Sequence, residues 1–222
     1  MEAPIAVTDK TPRPAGFIRW IVCGLLFLAV VLSYIDRLVI SVLKPELAAR
    51  YHWSETGYAD MAFYFLAVYG IGFLISGRLI DKIGARLGYA LAISLWTVGH
   101  MMQALVTLTT GMIFARLPLA LGESATYPAA LVAVKAWFPK TERALAIGFL
   151  NAGANVGAIV TPLLVPVIAV SFGWKMAFVA TGLLSVVWLS LWLAFYREPK
   201  AHARLSPDER AWIESEPAEV KH

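Results

Sequence analysis

Six long apolar runs separated by short polar breaks make up most of the chain. They cover 17–43, 58–76, 87–108, 112–134, 144–170 and 174–196, each near or above the roughly 20 residues a helix needs to cross the hydrocarbon core of a bilayer. The pattern predicts an all-α membrane protein with a six-helix transmembrane domain over 17–196, flanked by polar tails over 1–16 and 197–222. The first run is longer than a signal-peptide core and lacks a small-x-small cleavage site followed by a soluble domain, so it reads as a retained span. The break at 109–111 is short enough to force helices three and four into an antiparallel hairpin. Gly153 and Gly157 form a small-xxx-small pair on the fifth helix, and Gly70, Gly72 and Gly77 place small residues along the second, both favouring close helix contact. Pro118, Pro128, Pro162 and Pro166 are expected to kink their helices. In the last tail, Ser206-Pro207-Asp208-Glu209 is a capping box with proline at the first helical position, which predicts a short surface helix.

With 59% hydrophobic and 15% charged residues in 222, the chain lies outside the soluble globular range. Its formal net charge of +4 does not mark a polyanion binder, because Lys and Arg are sorted by membrane side rather than clustered; no nucleic-acid partner is expected. Of the 19 Lys and Arg residues, fourteen fall on the tails and on the second-to-third and fourth-to-fifth connections, while Lys44, Arg50 and Lys175 fall on the opposite side. That bias predicts both termini in the cytoplasm. Cys23 is the single cysteine, so no internal disulfide is available. Trp20, Trp53, Trp137 and Trp174 lie near the predicted interfaces and read as an aromatic belt.

Four charges remain inside the spans: Asp36 and Arg37 in the first, Arg116 and Glu123 in the fourth. A charge near the bilayer centre costs about 2.5–3.5 kcal/mol, so four left unpaired would cost roughly 10 kcal/mol. Mutual pairing around a hydrated cavity offsets this, and such a cavity serves to move a charged solute or a proton; the chain reads as part of a transporter. At 1.5 Å per residue, Asp36 lies about 10 Å and Arg116 about 7 Å inside the outer ends of their helices. Glu123 is two turns deeper on the Arg116 face. Arg37 is rotated about 100° from Asp36, so one arrangement turns Asp36 towards helix four and Arg37 towards the central cavity. With both carboxylates ionised the four charges cancel, and protonating either leaves a net positive site that favours an anion. A static ion-pair network holding the bundle is the competing reading.

Other polar residues carry less. Tyr64 and Tyr69 are candidates for contact with a hydroxylated substrate, although aromatics on membrane helices more often pack. Asn151 and Asn155 share a face and would bond either sugar hydroxyls or a neighbouring helix, the latter being slightly favoured. His100 has no second ligand at metal spacing and reads as a buried, hydrogen-bonded imidazole rather than a proton site. Gly122-Glu123-Ser124-Ala125 lacks the last glycine of a nucleophile elbow, and neither a paired-His zinc motif nor a Gly-rich phosphate loop is present, so no enzyme, metal or organic cofactor is expected.

The connection between helices two and three reads Gly77-Arg78-Leu79-Ile80-Asp81-Lys82-Ile83-Gly84-Ala85-Arg86. Its glycines permit a tight turn, and Asp81 is placed to cap a helix or pair with a base. It resembles the loop signature Gly-x-Leu-x-Asp-Arg-x-Gly-Arg-Arg of the major facilitator superfamily, with Lys82 for the first arginine of that pattern and Ala85 for the second. The resemblance implies a gating role for Gly77, Asp81, Lys82, Gly84 and Arg86.

Tyr34-Ile35-Asp36-Arg37, the segment from Arg116 to Glu123, Trp137-Phe138-Pro139 with Glu142-Arg143, and the segment from Phe149 to Gly157 extend the likeness. Together they resemble the anion:cation symporters of that superfamily, and within them the bacterial hexuronate (glucuronate and galacturonate) transporters. The resemblance implies the N-terminal six-helix half of a major facilitator fold, a 3+3 inverted repeat for which these transporters are the type example. It also implies proton-coupled uptake of a sugar acid across the bacterial inner membrane, with the proton as coupling ion and a complementary six-helix half as partner. Asp36 and Glu123 would carry protons, with Arg116 coupling charge. Arg37 would take the substrate carboxylate and Tyr69 the sugar, with Tyr34, Asn151 and Asn155 completing the substrate set. The alternatives are a truncated, non-transporting fragment and a six-helix channel or half-transporter active only as an assembly.

Overall fold

A single residue divides the longest helix of this protein. The computed structural model describes residues 16–215, so the expected 1–16 tail, apart from Gly16, and the last seven residues lie outside the described residues. The helices are α1 (Ile18–Tyr51), α2 (Glu55–Met102), α3 (Thr109–Trp137), α4 (Lys140–Phe172), α5 (Trp174–Phe195) and the short α6 (Pro207–Ile213). Helix α1 ends where His52 turns left-handed, at φ 54°, and Ser54 starts α2 by accepting the Gly57 N–H at 3.0 Å. Within α2, Gly84 alone leaves helical geometry, at φ 79° and ψ 164°, a conformation open to glycine and strained for other residues.

The contacts show that the chain reverses there. In the first arm of α2, Gly57 meets Thr109 and Gly72 meets Ser124, so this arm runs parallel to α3. In the second arm, Gly99 packs on Leu119 while Trp96 packs on Gly122, so that arm runs antiparallel to α3. Helix α2 therefore supplies two rods, and the membrane-length bundle has six. Helices α1 and α4 form the matching parallel pair: Cys23 Sγ donates to Ala146 O at 3.7 Å, and Gly153 and Gly157 face Phe27 and Val31. A Cβ on Gly157 would sit 2.6 Å from Val31 O and one on Gly153 2.7 Å from Phe27 O, which is why small residues are needed at this seam.

Helix α5 closes the bundle with aromatic side chains four residues apart. Trp188, Trp192 and Tyr196 stack in sequence, at 5.3 Å and 4.0 Å between ring centroids. Trp188 Nε1 donates to Leu25 O of α1 and Trp192 Nε1 to Arg86 O of α2, so the ladder ties α5 to both neighbours. The outer surface stays apolar, as at Leu74 and Val170, which are 78% and 88% exposed; hydrocarbon rather than water suits such a face.

Several local expectations differ from the structure. The connection after the second arm is a 3-10 turn at Gln103–Leu105 followed by extended Val106, and residues 109–111 form the first turn of α3. A Cβ on Gly70 or Gly77 would meet nothing within 4 Å, so of the three glycines only Gly72 serves packing. Pro118 and Pro128 lie inside α3, and Pro162 and Pro166 inside α4. Trp53, Trp137 and Trp174 are buried against protein instead of facing outward as a belt would. Trp53 Nε1 donates to Thr107 O at 2.9 Å, a partner that draws the ring inward.

Candidate transport site

The rotation between neighbouring residues of a helix decides what the two charges on α1 do. Arg37 turns to the open side, where Nε and Nη2 donate to the same oxygen of Glu123 on α3, at 2.8 Å and 2.6 Å. The Glu123 side chain is fully buried and that of Arg37 one-quarter exposed. The other Glu123 oxygen has no partner among the described residues. Three aromatic rings surround the Arg37 guanidinium: Tyr69 at 4.8 Å, Phe65 at 5.3 Å and Tyr34 at 5.4 Å. Arg37, Glu123, Tyr34 and Tyr69 border a cavity of about 250 Å³ that Tyr127 and Asn151 also line.

Arg116 lies 4.7 Å from the same Phe65 ring. It is buried, and neither its Nε nor its Nη1 has a hydrogen-bond partner among the described residues. Phe65 is thus shared between two guanidiniums, a role with no local mark in the sequence. Of the mutual pairing expected around a cavity, part is present. The one short Arg–carboxylate contact between these four residues joins Arg37 of α1 to Glu123 of α3.

Asp36 also departs from expectation. It does not face α3; it points between α5 and the second arm of α2, fully buried. Ser185 Oγ donates to its Oδ2 at 3.0 Å, and His100 Nε2 lies 3.2 Å from Oδ1. His100 Nε2 is also 2.7 Å from Thr181 Oγ1. Because the Thr181 hydroxyl donates to Ala177 O at 3.0 Å, it acts as acceptor towards His100, which places a proton on His100 Nε2. Ser185 therefore donates to Oδ2, Oδ1 has His100 nearby but no hydrogen-bond partner among the described residues, and no arginine pairs with Asp36. The sequence reading left His100 isolated because its partners are far along the chain. Thr181 and Ser185, four apart on one face of α5, were the available signal.

Tyr34, Tyr69 and Asn151 line the cavity, whereas Asn155 is exposed one turn along α4 and is not part of its wall. In the segment around the α2 reversal, Asp81 and Lys82 are exposed, and Asp81 neither caps a helix nor takes part in an ion pair among the described residues. Gly84 makes the turn, and Arg86 makes the contact, donating through Nη2 to Leu193 O at 2.9 Å. A second polar centre went unread at the start of α1. Arg19 holds Glu142 of α4 at 2.8 Å and Glu209 of α6 at 3.4 Å, and its backbone N–H donates to Glu209 at 3.1 Å. Ser206 caps α6 through the Glu209 N–H, but the Glu209 carboxylate serves Arg19 instead of returning to the cap.

Two parallel helix pairs, a closing helix and buried charges beside an open cavity make up an arrangement found in one family of membrane proteins. The chain belongs to the Major Facilitator Superfamily, whose sequence profile matches residues 26–221. It is 36% identical over 196 residues to a galacturonate transporter of Dickeya chrysanthemi, covering 88% of this chain and 57% of that protein. It is 34% identical to a hexuronate transporter of Escherichia coli K12, covering 88% of this chain and 45% of that one. The fold matches the crystal structure of a bacterial homolog of the human lysosomal transporter Spinster, in an inward-facing and occupied conformation, with a TM-score of 0.78 and 20% identity over 83% of this chain and 46% of that one. The chain thus spans about half the length of the relatives it matches.

Proposed function

We propose that this chain forms one half of a proton-coupled symporter that takes up a hexuronate-like organic anion, such as glucuronate or galacturonate, across a bacterial inner membrane, with both termini in the cytoplasm. The carrying observation is the Arg37–Glu123 pair at the cavity wall: two donors of one guanidinium committed to one carboxylate oxygen. A substrate carboxylate needs that same edge of Arg37. Substrate arrival and Glu123 protonation therefore favour each other, since protonation frees the guanidinium and the anion replaces the lost charge. Tyr34, Tyr69 and Asn151 stand ready for the sugar hydroxyls. Asp36 is the second proton carrier, and its proton state is sensed by His100 and Ser185 rather than by substrate. Arg116, whose Nε and Nη1 have no hydrogen-bond partner among the described residues, supplies positive charge beside Phe65. Gly84 and Arg86 hold the α2 reversal against α5 during the rocking that such halves undergo.

Residues 1–222 fused to the C-terminal half of the Dickeya chrysanthemi galacturonate transporter give the direct test. Proteoliposomes of the fusion are expected to concentrate glucuronate or galacturonate when a pH gradient is imposed and only to equilibrate it without one. Uncoupled, non-saturating flux would mark a channel, and uptake indifferent to the gradient would remove the proton from the mechanism.

A further inference from the structure

At the Arg19 end of the bundle, α1 and α5 part and leave a cavity of about 480 Å³, within the roughly 300–1,000 Å³ range of small-molecule sites. Its floor is apolar, formed by Ile21, Val22 and Leu25 of α1 and Phe195 of α5, and its rim carries Arg197 and Arg204. The floor continues onto the outer surface. Ile21 and Leu28 are each 46% exposed and Phe195 is 47% exposed, so the cleft opens sideways onto the face that meets hydrocarbon.

Among the described residues the rim arginines have no carboxylate partner. Neither Arg197 nor Arg204 takes part in an ion pair among the described residues. Arg197 Nη1 donates to Leu193 O at 2.7 Å and to Tyr196 O at 2.8 Å, which fixes the guanidinium at the end of α5. The nearby carboxylates are engaged elsewhere: Glu209 is held by Arg19, and Glu198 accepts from the Tyr196 hydroxyl at 3.4 Å. His202, also on the rim, has its pKa held below the usual imidazole value, first by burial and then by the Arg204 and Arg197 charges, against opposing contributions from the Phe195 backbone and Glu209. The positive potential there is felt within the fold.

An apolar trough under two unpaired guanidiniums, at the level where the spans end, matches one chemistry. A soluble anion would satisfy the rim and leave the floor wet. A zwitterionic lipid would fill the floor but bring its own cation against the arginines. We propose that this cleft binds an anionic phospholipid, with its phosphate between Arg197 and Arg204 and an acyl chain along Ile21, Leu25 and Phe195. The site is remote in function from the transport cavity and does not depend on the proton-coupled reading.

Native mass spectrometry of the chain released from nanodiscs of equal phosphatidylglycerol and phosphatidylcholine tests the assignment. One phosphatidylglycerol should be retained in preference to phosphatidylcholine. A basic residue near an anionic headgroup is worth about a fivefold change in affinity. Arg204→Glu, at an exposed residue with no ion pair, should therefore cut phosphatidylglycerol occupancy by about fivefold or more and leave phosphatidylcholine unchanged. Arg197→Gln, with unaltered circular dichroism, should lower it in the same direction. Equal retention of the two lipids, or full retention in Arg204→Glu, would overturn the proposal. So would displacement of the lipid by inorganic phosphate, which would mark a soluble-anion site, or retention seen only after removal of residues 1–15, which would give the cleft to the chain's own start.

Discussion

Replacing Glu123 by glutamine separates competition for Arg37 from the shape of the site. In the native protein Nε and Nη2 of Arg37 share one Glu123 oxygen at 2.8 Å and 2.6 Å, and a substrate carboxylate must displace both contacts. Hydrogen bonds to charged groups are worth about 1.5–3 kcal/mol, against about 0.5–1.5 kcal/mol for neutral ones. Glutamine keeps the volume and one accepting oxygen, so the competition weakens by about 1–3 kcal/mol. The one-quarter exposure of Arg37 admits solvent screening and favours the lower part of that range, about 1–2 kcal/mol. Hexuronate binding should then tighten by roughly five- to thirtyfold. The gain should be largest in alkaline buffer, where native Glu123 is ionised, and should vanish in acid, where protonation has already removed the competitor. Isothermal titration of glucuronate into the fusion protein in nanodiscs, over a pH series, measures this directly. Native affinity should strengthen towards acid while the variant stays flat, and the variant should exchange labelled substrate without accumulating it. A native affinity indifferent to pH, or a variant that binds no tighter in alkaline buffer, would refute the shared-edge mechanism.

Other perturbations probe separate parts of the structure. His100→Gln retains a donor near Asp36 but not the ring geometry shared with Thr181, and should depress gradient-driven uptake well below counterflow exchange; equal loss of both would assign His100 to packing alone. Gly157→Ala drives a methyl into Val31 O and should destabilise by about 1–3 kcal/mol, read as a lower unfolding temperature in detergent, whereas Gly70→Ala meets open space and should be neutral or stabilising. Arg19→Ala removes the cation that Glu142 and Glu209 share, leaving Glu142 only the Trp212 indole, and should cost on the order of 3 kcal/mol, loosening α6; faster amide exchange over 207–213 would report it, and unchanged protection would show that Arg19 does not hold the helix.

The spans were readable from hydropathy because a bilayer demands long apolar runs, and Gly153 and Gly157 were readable because close helices demand small residues. Which way the charges face was not. Arg37 follows from the rotation at Asp36, but the Asp36 partners depend on how α5 is set along α1, and Ser185 and His100 carry no local mark of that register. The reversal at Gly84 was visible as a glycine in a loop, yet the helical geometry on both sides of it depends on α3 packing against both arms. Whether an indole faces outward or inward was not readable either: the carbonyl that draws the Trp53 ring in belongs to Thr107, far along the chain.

The rings of Tyr34, Phe65 and Tyr69 around Arg37 give the site a fixed plane. A long cationic side chain in water samples many rotamers and surrenders about 2 kcal/mol of that freedom when it clasps a ligand. Here the surrender happens when the helices assemble, so an arriving acid meets a flat, oriented fork rather than a moving charge. Lysine at position 37 would preserve the sign of the field while losing both stack and fork, and the pocket would then attract anions without recognising a carboxylate's shape.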